Sequence, residues 1–268
     1  MSLAATEREK ENFTLSDPLL EQIRQYWNEH IHDLELAKHP VGTLGFFHDL
    51  AEYRFDKLRY LPQVVNFGAY RDKEILEVGC GVGIDLIRFA KGGAAVHGID
   101  LAEQSIDLAR QYFAHESVAG ELTLGNGEDL QFADDSFDMV YAHGVIQYTA
   151  HPQKMVAELQ RVVRPGGEVI MMVYNRHSWL NFLSETLGVG LEHQDAPVLR
   201  KYTIAEFKEL LSGFTHVQIV PERFPVKSRL QKGAKAAFFN MFFVPGFNLV
   251  PRSITRKTGW HLMAFATK

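Results

Sequence analysis

Cysteine is almost absent from this 268-residue sequence. Cys80 is the only one, so no disulfide can form within the chain, and the cytoplasm is the expected compartment. Paired cysteines and the H-E-x-x-H pattern, both typical of zinc sites, do not occur either. His30 and His32 have H-x-H spacing, but on a helix they would point about 200° apart. The sequence therefore predicts neither a disulfide framework nor a metal centre.

Long apolar runs are also missing. The most apolar segment, AAFFNMFFVPGFNLV at 236–250, is shorter than the roughly 20 residues that span a bilayer, and Pro245 interrupts it. The polar N-terminus lacks the pattern of a signal peptide, so we expect no export. Basic and aromatic residues alternate around this segment, which leaves peripheral contact with a membrane surface as an alternative.

Charge of one sign does not dominate the sequence. Its 28 basic and 33 acidic residues give a net charge of −5, and no basic block occurs. This argues against nucleic acid as a partner, because nucleic-acid binding needs a concentrated positive surface. The hydrophobic share of 46% is enough for a large core, and the length fits one elaborated α/β domain.

The most informative segment is ILEVGCGVG, residues 75–83. A short apolar run, typical of a buried strand, enters a turn with three glycines, and a helical pattern follows. Such a turn reaches positive φ and presents free N–H groups of the helix to a ligand. A second strand, AVHGID at 95–100, ends on Asp100. An acid there suits the two hydroxyls of a ribose in a doubly wound α/β sheet.

Two nucleoside cofactors compete for this strand–turn–helix unit. The dinucleotide fingerprint is G-x-G-x-x-G, whereas the spacing here is G-x-G-x-G because Ile84 occupies the final position. A diphosphate also favours a helix start free of acids, but Glu77 and Asp85 flank this turn. These acids favour the cationic cofactor S-adenosylmethionine. A nicotinamide-dependent oxidoreductase is the less favoured alternative.

Four segments of the chain, in the right order, resemble the class I S-adenosylmethionine-dependent methyltransferase family. They are ILEVGCGVG (75–83), GIDLAEQSIDLAR (98–110), GNGEDLQFADDSFDMVYAHGVIQY (125–148) and LQRVVRPGGEVIMMVY (159–174). The last segment resembles a helix, an Arg-Pro-Gly-Gly turn and a fifth strand near 168–174. The resemblance implies an α/β, Rossmann-like, mostly parallel seven-stranded sheet with an antiparallel last strand. It also implies an enzyme that methylates an acceptor and leaves S-adenosylhomocysteine. The alternative in another class is a non-catalytic module that binds either nucleoside.

The resemblance further implies which residues contact the cofactor. They are Glu77, Gly79, Cys80, Gly81, Gly83, Asp100, Leu101, Asn126, Gly127, Glu128 and His143. Glu77 would lie near the ammonium group, Asp100 would accept both ribose hydroxyls, and Leu101 would pack on the adenine. The family often has an acid at position 126, where this chain has Asn126, whose amide oxygen can still accept a hydrogen bond from the adenine amino group.

Three residues are candidates for a general base. A sulfonium methyl is already electrophilic, so the protein mainly orients the acceptor, and a base matters only if the acceptor loses a proton. His143, Tyr148 and His177 follow the fourth and fifth strands, at whose carboxyl ends open α/β sheets bind ligands. For His143 the alternative is a backbone contact with the cofactor, and for His177 it is a place in a surface loop.

The chain divides into an N-terminal helical cap, 1–68, and a methyltransferase core, 69–268, with lid insertions at about 176–202 and 223–258. A helix is predicted from Pro18 to about Leu36, and a second up to Pro62. The N-terminal layer and the later insertion, which is basic and aromatic, together predict a lid with an apolar pocket over the methyl group, or alternatively ordinary helix packing with a solvated basic edge. We therefore expect a small apolar acceptor with an acidic group, held by Lys227, Arg229 and Lys232.

Overall fold

The structure, a computed structural model, describes residues 13, 15–31, 34–227, 233 and 237–268. The strands are β1 (Glu74–Val78), β2 (Ala95–Asp100), β3 (Glu121–Leu124), β4 (Phe137–His143), β5 (Val163–Tyr174), β6 (Thr215–Glu222) and β7 (His261–Thr267). The α-helices are α1 (Pro18–Glu29), α2 (Leu44–Lys57), α3 (Leu61–Val64), α4 (Leu86–Lys91), α5 (Glu103–His115), α6 (Pro152–Val162), α7 (Trp179–Leu187), α8 (Ile204–Leu210), α9 (Val244–Leu249) and α10 (Arg252–Thr255). Short 3₁₀ turns cover Leu34–Leu36 and Ile146–Tyr148, and a π-helix covers Phe239–Phe243.

The seven strands form one sheet in the order β3-β2-β1-β4-β5-β7-β6. Strands β1 to β5 pair in parallel, and β7 lies antiparallel between β5 and β6. This order confirms the predicted Rossmann-like sheet with its antiparallel last strand. Because the order reverses between β1 and β4, a crevice forms at the carboxyl ends of these two strands, as in other doubly wound sheets.

Alternate residues of the central strands enter two different cores. In β1, Ile75 belongs to the core on one face of the sheet, and Leu76 belongs to the core on the other. In β4, Tyr141 and Val140 divide in the same way. Both faces are therefore covered, which explains why these strands are continuous apolar runs in the sequence.

Strand β5 begins earlier than the sequence predicted. Phe137 of β4 pairs with Val163, whereas Met139 pairs with Glu168, so extra residues of β5 bulge between the two pairs. The Arg-Pro-Gly-Gly stretch, predicted as a turn before the strand, forms this irregular part of β5. A bulge accommodates the proline, which has no N–H to donate to the ladder.

The N-terminal layer contains shorter helices than predicted. The helix that begins at Pro18 ends at Glu29, with the side chain of Asp17 accepting a hydrogen bond from the N–H of Leu19 at its start. Helix α2 ends before Leu58, whose φ of −112° and ψ of 50° are not helical. Pro62 then lies in the first turn of α3, where a missing N–H costs nothing.

The second predicted insertion packs on α7. Phe239, Phe243 and Phe247 surround the indole of Trp179, with ring centroids 5.7–6.4 Å away. Arg229 and Lys232, predicted to hold an acidic group, lie outside the described residues, as does His32 of the H-x-H pair. None of the helices in the described ranges has the length and apolar character needed to cross a membrane.

Gly259 lets β7 begin close beside the end of β6. A Cβ atom at this position would lie 2.4 Å from the carbonyl oxygen and 2.6 Å from the nitrogen of Glu222. The next residue, Trp260, stacks on Tyr174 with a centroid distance of 4.4 Å. The close approach of the two backbones therefore fixes the edge of the sheet where the crevice lies.

We expect the substitution Gly259→Ala to lower the free energy of unfolding by about 1–3 kcal/mol, because backbone atoms must move to admit the methyl group. Urea denaturation followed by circular dichroism measures this loss. Gly246→Ala is the matched control: it lies within α9 with open space around it, so alanine should be neutral or stabilising by up to about 1 kcal/mol. Equal effects at the two glycines would contradict the close approach.

Candidate active site

A cavity of about 220 Å³ opens at the carboxyl ends of the parallel strands. The core contributes residues that end or follow β1, β2, β4 and β5, among them Gly79, Asp100 and His143. The N-terminal layer covers the cavity with side chains from α1 and α2, and the loop between α7 and α8 contributes Glu192. This position is the one at which open α/β sheets bind ligands.

The glycine turn after β1 forms one wall of the cavity. Gly79 has a φ of 70°, and a Cβ atom there would lie 2.3 Å from a methyl carbon of Val145. Gly81 has a φ of 54°, and no atom lies within 4 Å of the position of an added Cβ, so its backbone is open to the cavity. Gly83 lies outside the lining and packs on the ring of Phe113.

Glu77 provides an unsatisfied carboxylate oxygen below this turn. The residue is 4% exposed, and its Oε2 atom has no hydrogen-bond partner among the described residues. Burial, together with the negative charges of Asp85 and Asp100, raises the pKa of this carboxyl group well above its usual range. A buried acceptor without a partner is costly, so the site favours a ligand that brings a donor or a positive charge.

Asp100 is held at the tip of β2 by two backbone N–H groups. Gly81 donates to one carboxylate oxygen over 2.8 Å, and Ala102 donates to the other over 2.9 Å. Burial raises the pKa of Asp100 despite these bonds. Because each oxygen keeps a second acceptor position, the carboxylate can still accept two hydroxyl groups of a ligand.

The predicted adenine loop lies next to Asp100. Leu101, Asn126 and Gly127 line the cavity, and the side-chain oxygen of Asn126 accepts a hydrogen bond from the N–H of Glu128 over 3.0 Å. Glu128 does not line the cavity. Its carboxylate accepts hydrogen bonds from the hydroxyl of Thr149 and the N–H of His151, so it connects this loop to the one after β4.

An ion pair between Arg54 and Asp85 joins α2 to the glycine turn. The guanidinium donates two hydrogen bonds to the carboxylate, the one from Nε over 2.6 Å, and the hydroxyl of Tyr141 donates a third over 3.0 Å. Burial works against ionisation of Asp85, but the charge of Arg54 outweighs it and lowers the pKa of the carboxyl group. The sequence suggested Asp85 as an acid that faces a cationic ligand. The structure shows instead that Arg54 pairs with Asp85 and neutralises it within the protein.

Tyr60 and His143, both half-buried, and the buried His261 form a group that we call the Tyr60 cluster. The Tyr60 oxygen lies 3.1 Å from His143 Nε2 and 2.6 Å from His261 Nδ1. Burial and the charge of Arg54 lower the pKa of His143 to about 3. Burial and the charge of Arg223 likewise lower the pKa of His261 well below its usual value. Both imidazoles are therefore neutral at physiological pH.

The two flanking arginines determine the tautomers in the Tyr60 cluster. Arg54 lies 3.3 Å from His143 Nδ1, and Arg223 lies 3.1 Å from His261 Nε2. Arginine can only donate, so these nitrogens accept, and each neutral ring carries its proton on the nitrogen that faces Tyr60. The Tyr60 oxygen thus accepts two N–H groups, and its own proton points to the sulfur of Met263, 3.8 Å away.

Aromatic and ionic side chains enclose the opposite end of the cavity from Glu77. Trp27 of α1 packs edge-on against Tyr148, with centroids 5.0 Å apart, and the Tyr148 hydroxyl donates to that of Tyr174 over 3.2 Å. Arg223, which follows β6, forms an ion pair with Glu192 at 2.9 Å, and Lys57 lies 3.3 Å from the same carboxylate.

Within the described ranges, no group of three potential metal ligands comes together.

Most of the predicted site residues meet at this cavity. They are Glu77, Gly79, Cys80, Gly81, Asp100, Leu101, Asn126, Gly127, His143 and Tyr148. Burial raises the pKa of the Cys80 thiol well above its usual value, in keeping with a small packing side chain. His177, in contrast, is exposed and outside the lining, with its N–H bonded to the side chain of Asn175.

The aromatic residues of the second insertion do not cover the cavity. Among the described residues of 223–258, Arg223 alone lines it, whereas Phe239, Phe243 and Phe247 pack on Trp179 and Phe238 and Phe242 are exposed. The apolar wall comes from α1 and α2 of the N-terminal layer, the other part of the predicted lid. Sequence reasoning also missed His261, Glu192 and Arg223. The first residue of an antiparallel strand lies at the edge where its parallel neighbours end, so the predicted direction of β7 already pointed to His261.

A sequence model of a family described as "Methyltransferase domain" matches residues 76–171. An uncharacterised protein of Methanocaldococcus jannaschii is 30% identical over 159 residues, which cover 59% of this chain and 72% of that protein. The matched residues contain the glycine turn, Asp100 and the loop with Asn126. The chain belongs to the class I S-adenosylmethionine-dependent methyltransferases.

Two further relatives of this methyltransferase family member are named "Ubiquinone biosynthesis O-methyltransferase". The one from Alkalilimnicola ehrlichii is 30% identical over 173 residues, 61% of this chain and 66% of the relative. The one from Coxiella burnetii is 27% identical over 138 residues, 52% of this chain and 56% of the relative. The aligned part of the chain thus spans somewhat more than half the length of these curated relatives.

Solved methyltransferase structures share the fold over more than nine-tenths of the chain. A possible histamine N-methyltransferase from Thermotoga maritima superposes with a TM-score of 0.59 at 16% identity, covering 93% of this chain and 99% of that chain. Phosphoethanolamine N-methyltransferase 2 of Haemonchus contortus, solved with S-adenosyl-L-methionine, gives a TM-score of 0.57 at 15% identity and covers 92% of this chain and 60% of that one.

The cofactor of this methyltransferase family is S-adenosylmethionine, and the donors and acceptors of the cavity fit it. The unpartnered oxygen of Glu77 suits an ammonium group, the open backbone at Gly81 leaves room above the turn, and Asp100 has free acceptor positions for hydroxyls. The fit therefore rests on acceptor atoms with room for a further hydrogen-bond donor, as well as on the motif.

We expect the ion pair between Arg54 and Asp85 to be strongly coupled in stability. Asp85 has a side chain 1% exposed, so Arg54→Met should lower the free energy of unfolding by about 3–5 kcal/mol by leaving a buried charge unpaired. The double variant with Asp85→Asn should lose clearly less than the sum of the single losses. Chemical denaturation of the four proteins measures the coupling.

The stability difference between the wild-type protein and Arg54→Met should depend on pH. In the wild-type protein the lowered pKa of Asp85 contributes stability at neutral pH that disappears as the pH falls. In Arg54→Met the unpaired carboxyl group has a raised pKa and is neutralised by acid. The difference in the free energy of unfolding between the wild-type protein and Arg54→Met should therefore become smaller as the pH falls. A difference that is constant or widens with acid would contradict the pairing.

Proposed function

We propose that this chain transfers a methyl group from S-adenosylmethionine to a small molecule with an apolar body. The observation that carries the proposal is that one cavity joins an acid-lined end at Glu77 and Asp100 to an aromatic end under the cap. When bound, S-adenosylmethionine supplies an electrophilic methyl group. Glu77 and the backbone at Gly81 would hold its methionine part, Asp100 its ribose, and Leu101 with Asn126 its adenine.

Oxygen is the acceptor atom that the named curated relatives favour. The curated relatives from two bacteria carry the name O-methyltransferase. The aromatic end of the cavity supports the same choice, because Trp27, Tyr148 and Tyr174 offer flat apolar surfaces that suit an aromatic ring. We therefore propose a hydroxylated aromatic compound as the acceptor. Membrane contact is not needed for this function.

The residues nearest the acceptor end would position it rather than take its proton. His143 accepts from Arg54 through one nitrogen and donates to Tyr60 through the other, and its pKa is lowered to about 3. Burial raises the pKa of Tyr148, whose hydroxyl proton is directed to Tyr174. A hydroxyl that already ionises readily needs no strong base, and nearby cations favour its anionic form.

A non-catalytic module that binds S-adenosylmethionine or its demethylated product is the alternative. It would share the contacts of Glu77 and Asp100, so cofactor binding alone does not separate the two functions. Family membership removes the support for a nicotinamide-dependent oxidoreductase, since the matched segments are those of methyltransferases. Turnover separates the remaining two.

We expect S-adenosylhomocysteine binding to release protons, because the ligand's ammonium group should lower the raised pKa of Glu77. Affinity should therefore rise as the pH increases through the pKa of Glu77 in the free protein. Calorimetry in buffers of different ionisation enthalpy measures the release. Glu77→Gln should weaken binding and abolish the release.

Asp100→Asn is the matched variant for this experiment. It should weaken binding, by about tenfold or more for the loss of charge-assisted hydrogen bonds to hydroxyls. A smaller proton release should remain, because burial and not the charge of Asp100 is the largest cause of the raised pKa of Glu77. A thermal-shift comparison with NAD accompanies the titration. Wild-type affinity in both variants would refute the assigned cofactor contacts.

We expect methylated products when hydroxylated aromatic compounds are incubated with the protein and S-adenosylmethionine, as detected by mass spectrometry. Tyr148→Phe should lower turnover less than tenfold, whereas removal of a general base typically costs on the order of 10²–10⁴. His177→Ala serves as the control outside the cavity and should match the wild-type protein. Tight cofactor binding with no turnover on any acceptor would favour the binding module.

A further inference from the structure

The acceptor end of the cavity contains two cationic side chains. Among the described residues lining it, Arg223 and Lys57 are cationic, Glu192 is anionic, and Arg54 and Asp85 neutralise each other. The imidazoles of the Tyr60 cluster are neutral at physiological pH. Cationic side chains that line a cavity favour an anionic ligand over a neutral or cationic one.

Arg223 is fixed by the core of the protein. It directly follows β6 with a φ of 57°, a left-handed conformation that non-glycine residues rarely adopt. Its carbonyl oxygen accepts hydrogen bonds from the indole of Trp179 over 2.9 Å and from the N–H of Trp260 over 3.4 Å. The guanidinium contacts His261, and the side chain is 13% exposed. The surrounding structure therefore holds this cation in place before any ligand arrives.

Lys57 supplies the second fixed cation. It is the last residue of α2, one turn after Arg54, and its side chain is 11% exposed. Since α2 is joined to the glycine turn by the Arg54–Asp85 ion pair, the position of Lys57 depends on the core as well. Lys57 thus lies in a helix, and Arg223 directly follows a strand.

Glu192, in contrast, lies on the loop between α7 and α8. Its side chain is 34% exposed, more than twice as much as either cation. One carboxylate oxygen lies 2.9 Å from Arg223 Nη2, and the other lies 3.3 Å from Lys57 Nζ. The loop also contacts α1, where the Tyr26 hydroxyl donates to Asp195 over 2.9 Å. A carboxylate on a surface loop thus bridges two cations that the core holds.

We propose that Arg223 and Lys57 form a binding site for a carboxylate on the acceptor, and that Glu192 occupies this site until the acceptor displaces it. The inference rests on the proposed function, because it names a chemical group of the molecule that receives the methyl group. The geometry supports a carboxylate in particular, since the carboxylate of Glu192 already fits between both cations. A ligand carboxylate restores the same two contacts, so the buried cations are never left unpaired.

The proposal makes substitutions of Glu192 and Arg223 act in opposite directions. Glu192→Gln removes an internal competitor and should strengthen the binding of carboxylates. Arg223→Gln or Lys57→Gln removes part of the site and should weaken it. If Glu192 only held the loop in place, its loss would weaken binding or leave it unchanged.

Benzoate and its uncharged isostere benzamide are suitable probes, because they differ only in the group that the site would recognise. Isothermal titration should show tighter binding of benzoate to the wild-type protein. Glu192→Gln should strengthen benzoate binding, and Arg223→Gln should weaken it, each by about tenfold for one charge-assisted contact. Benzamide binding should change little. Arg252→Gln is the control, since Arg252 lies over the ring of Phe224 outside the cavity.

Benzoate that binds no more tightly than benzamide at millimolar concentrations would overturn the proposal, as would weaker benzoate binding in Glu192→Gln. Lys57→Gln tests the site independently if Arg223→Gln does not fold. Titration of the wild-type protein with S-adenosylhomocysteine separates this proposal from the proposed function. Benzoate selectivity without nucleoside binding would contradict the proposed methyl transfer and support the carboxylate site. Nucleoside binding without benzoate selectivity would contradict the carboxylate site and leave the proposed methyl transfer standing.

Discussion

The ion pair between Arg54 and Asp85 is the interaction on which the site depends. It is the charged link between the N-terminal cap and the glycine turn, and the hydroxyl of Tyr141 completes it from the centre of the sheet. Without Arg54, a carboxylate with a side chain 1% exposed would be left unpaired beneath the turn. The same guanidinium also contacts His143, so one side chain holds the cap in place and sets the protonation of the cluster beside it.

This ion pair also divides the cavity electrostatically. On one side, Glu77 and Asp100 leave unfilled acceptor positions for a cationic nucleoside. On the other side, Arg223 and Lys57 are shared with a single loop carboxylate. Because Asp85 is neutralised between them, the two ends keep opposite preferences within about 220 Å³. A single apolar cavity can therefore receive two ligands of different charge without exchanging their places.

The sequence was sufficient for the parts of the site that strands and turns determine. Asp100 and Asn126 end or follow strands whose apolar runs are continuous, so their place at one edge of the sheet follows from the strand pattern. Gly83 and Glu128 belong to the same motifs but serve packing and loop connection, which only the contacts with Phe113 and Thr149 reveal.

The acceptor end could be predicted less well, because it is assembled from distant segments. Glu192 lies in a polar loop without periodicity, and its partners come from α2 and the end of β6. The aromatic residues at 238–247 have the composition of a pocket wall, yet three of them, Phe239, Phe243 and Phe247, pack on Trp179 and the other two are exposed. Composition indicates that such residues are buried, whereas tertiary contacts decide which surface they cover.

The direction of the hydrogen bonds in the Tyr60 cluster determines whether a proton can pass through it. Arginines cap it at both ends, and a guanidinium has no lone pair with which to receive a proton. The path from Arg54 through His143 and Tyr60 to Met263 therefore ends in a thioether and offers no exit to solvent. A proton that a hydroxyl acceptor loses therefore leaves through the opening of the cavity to solvent, before or after the acceptor binds. It does not leave through the interior of the protein.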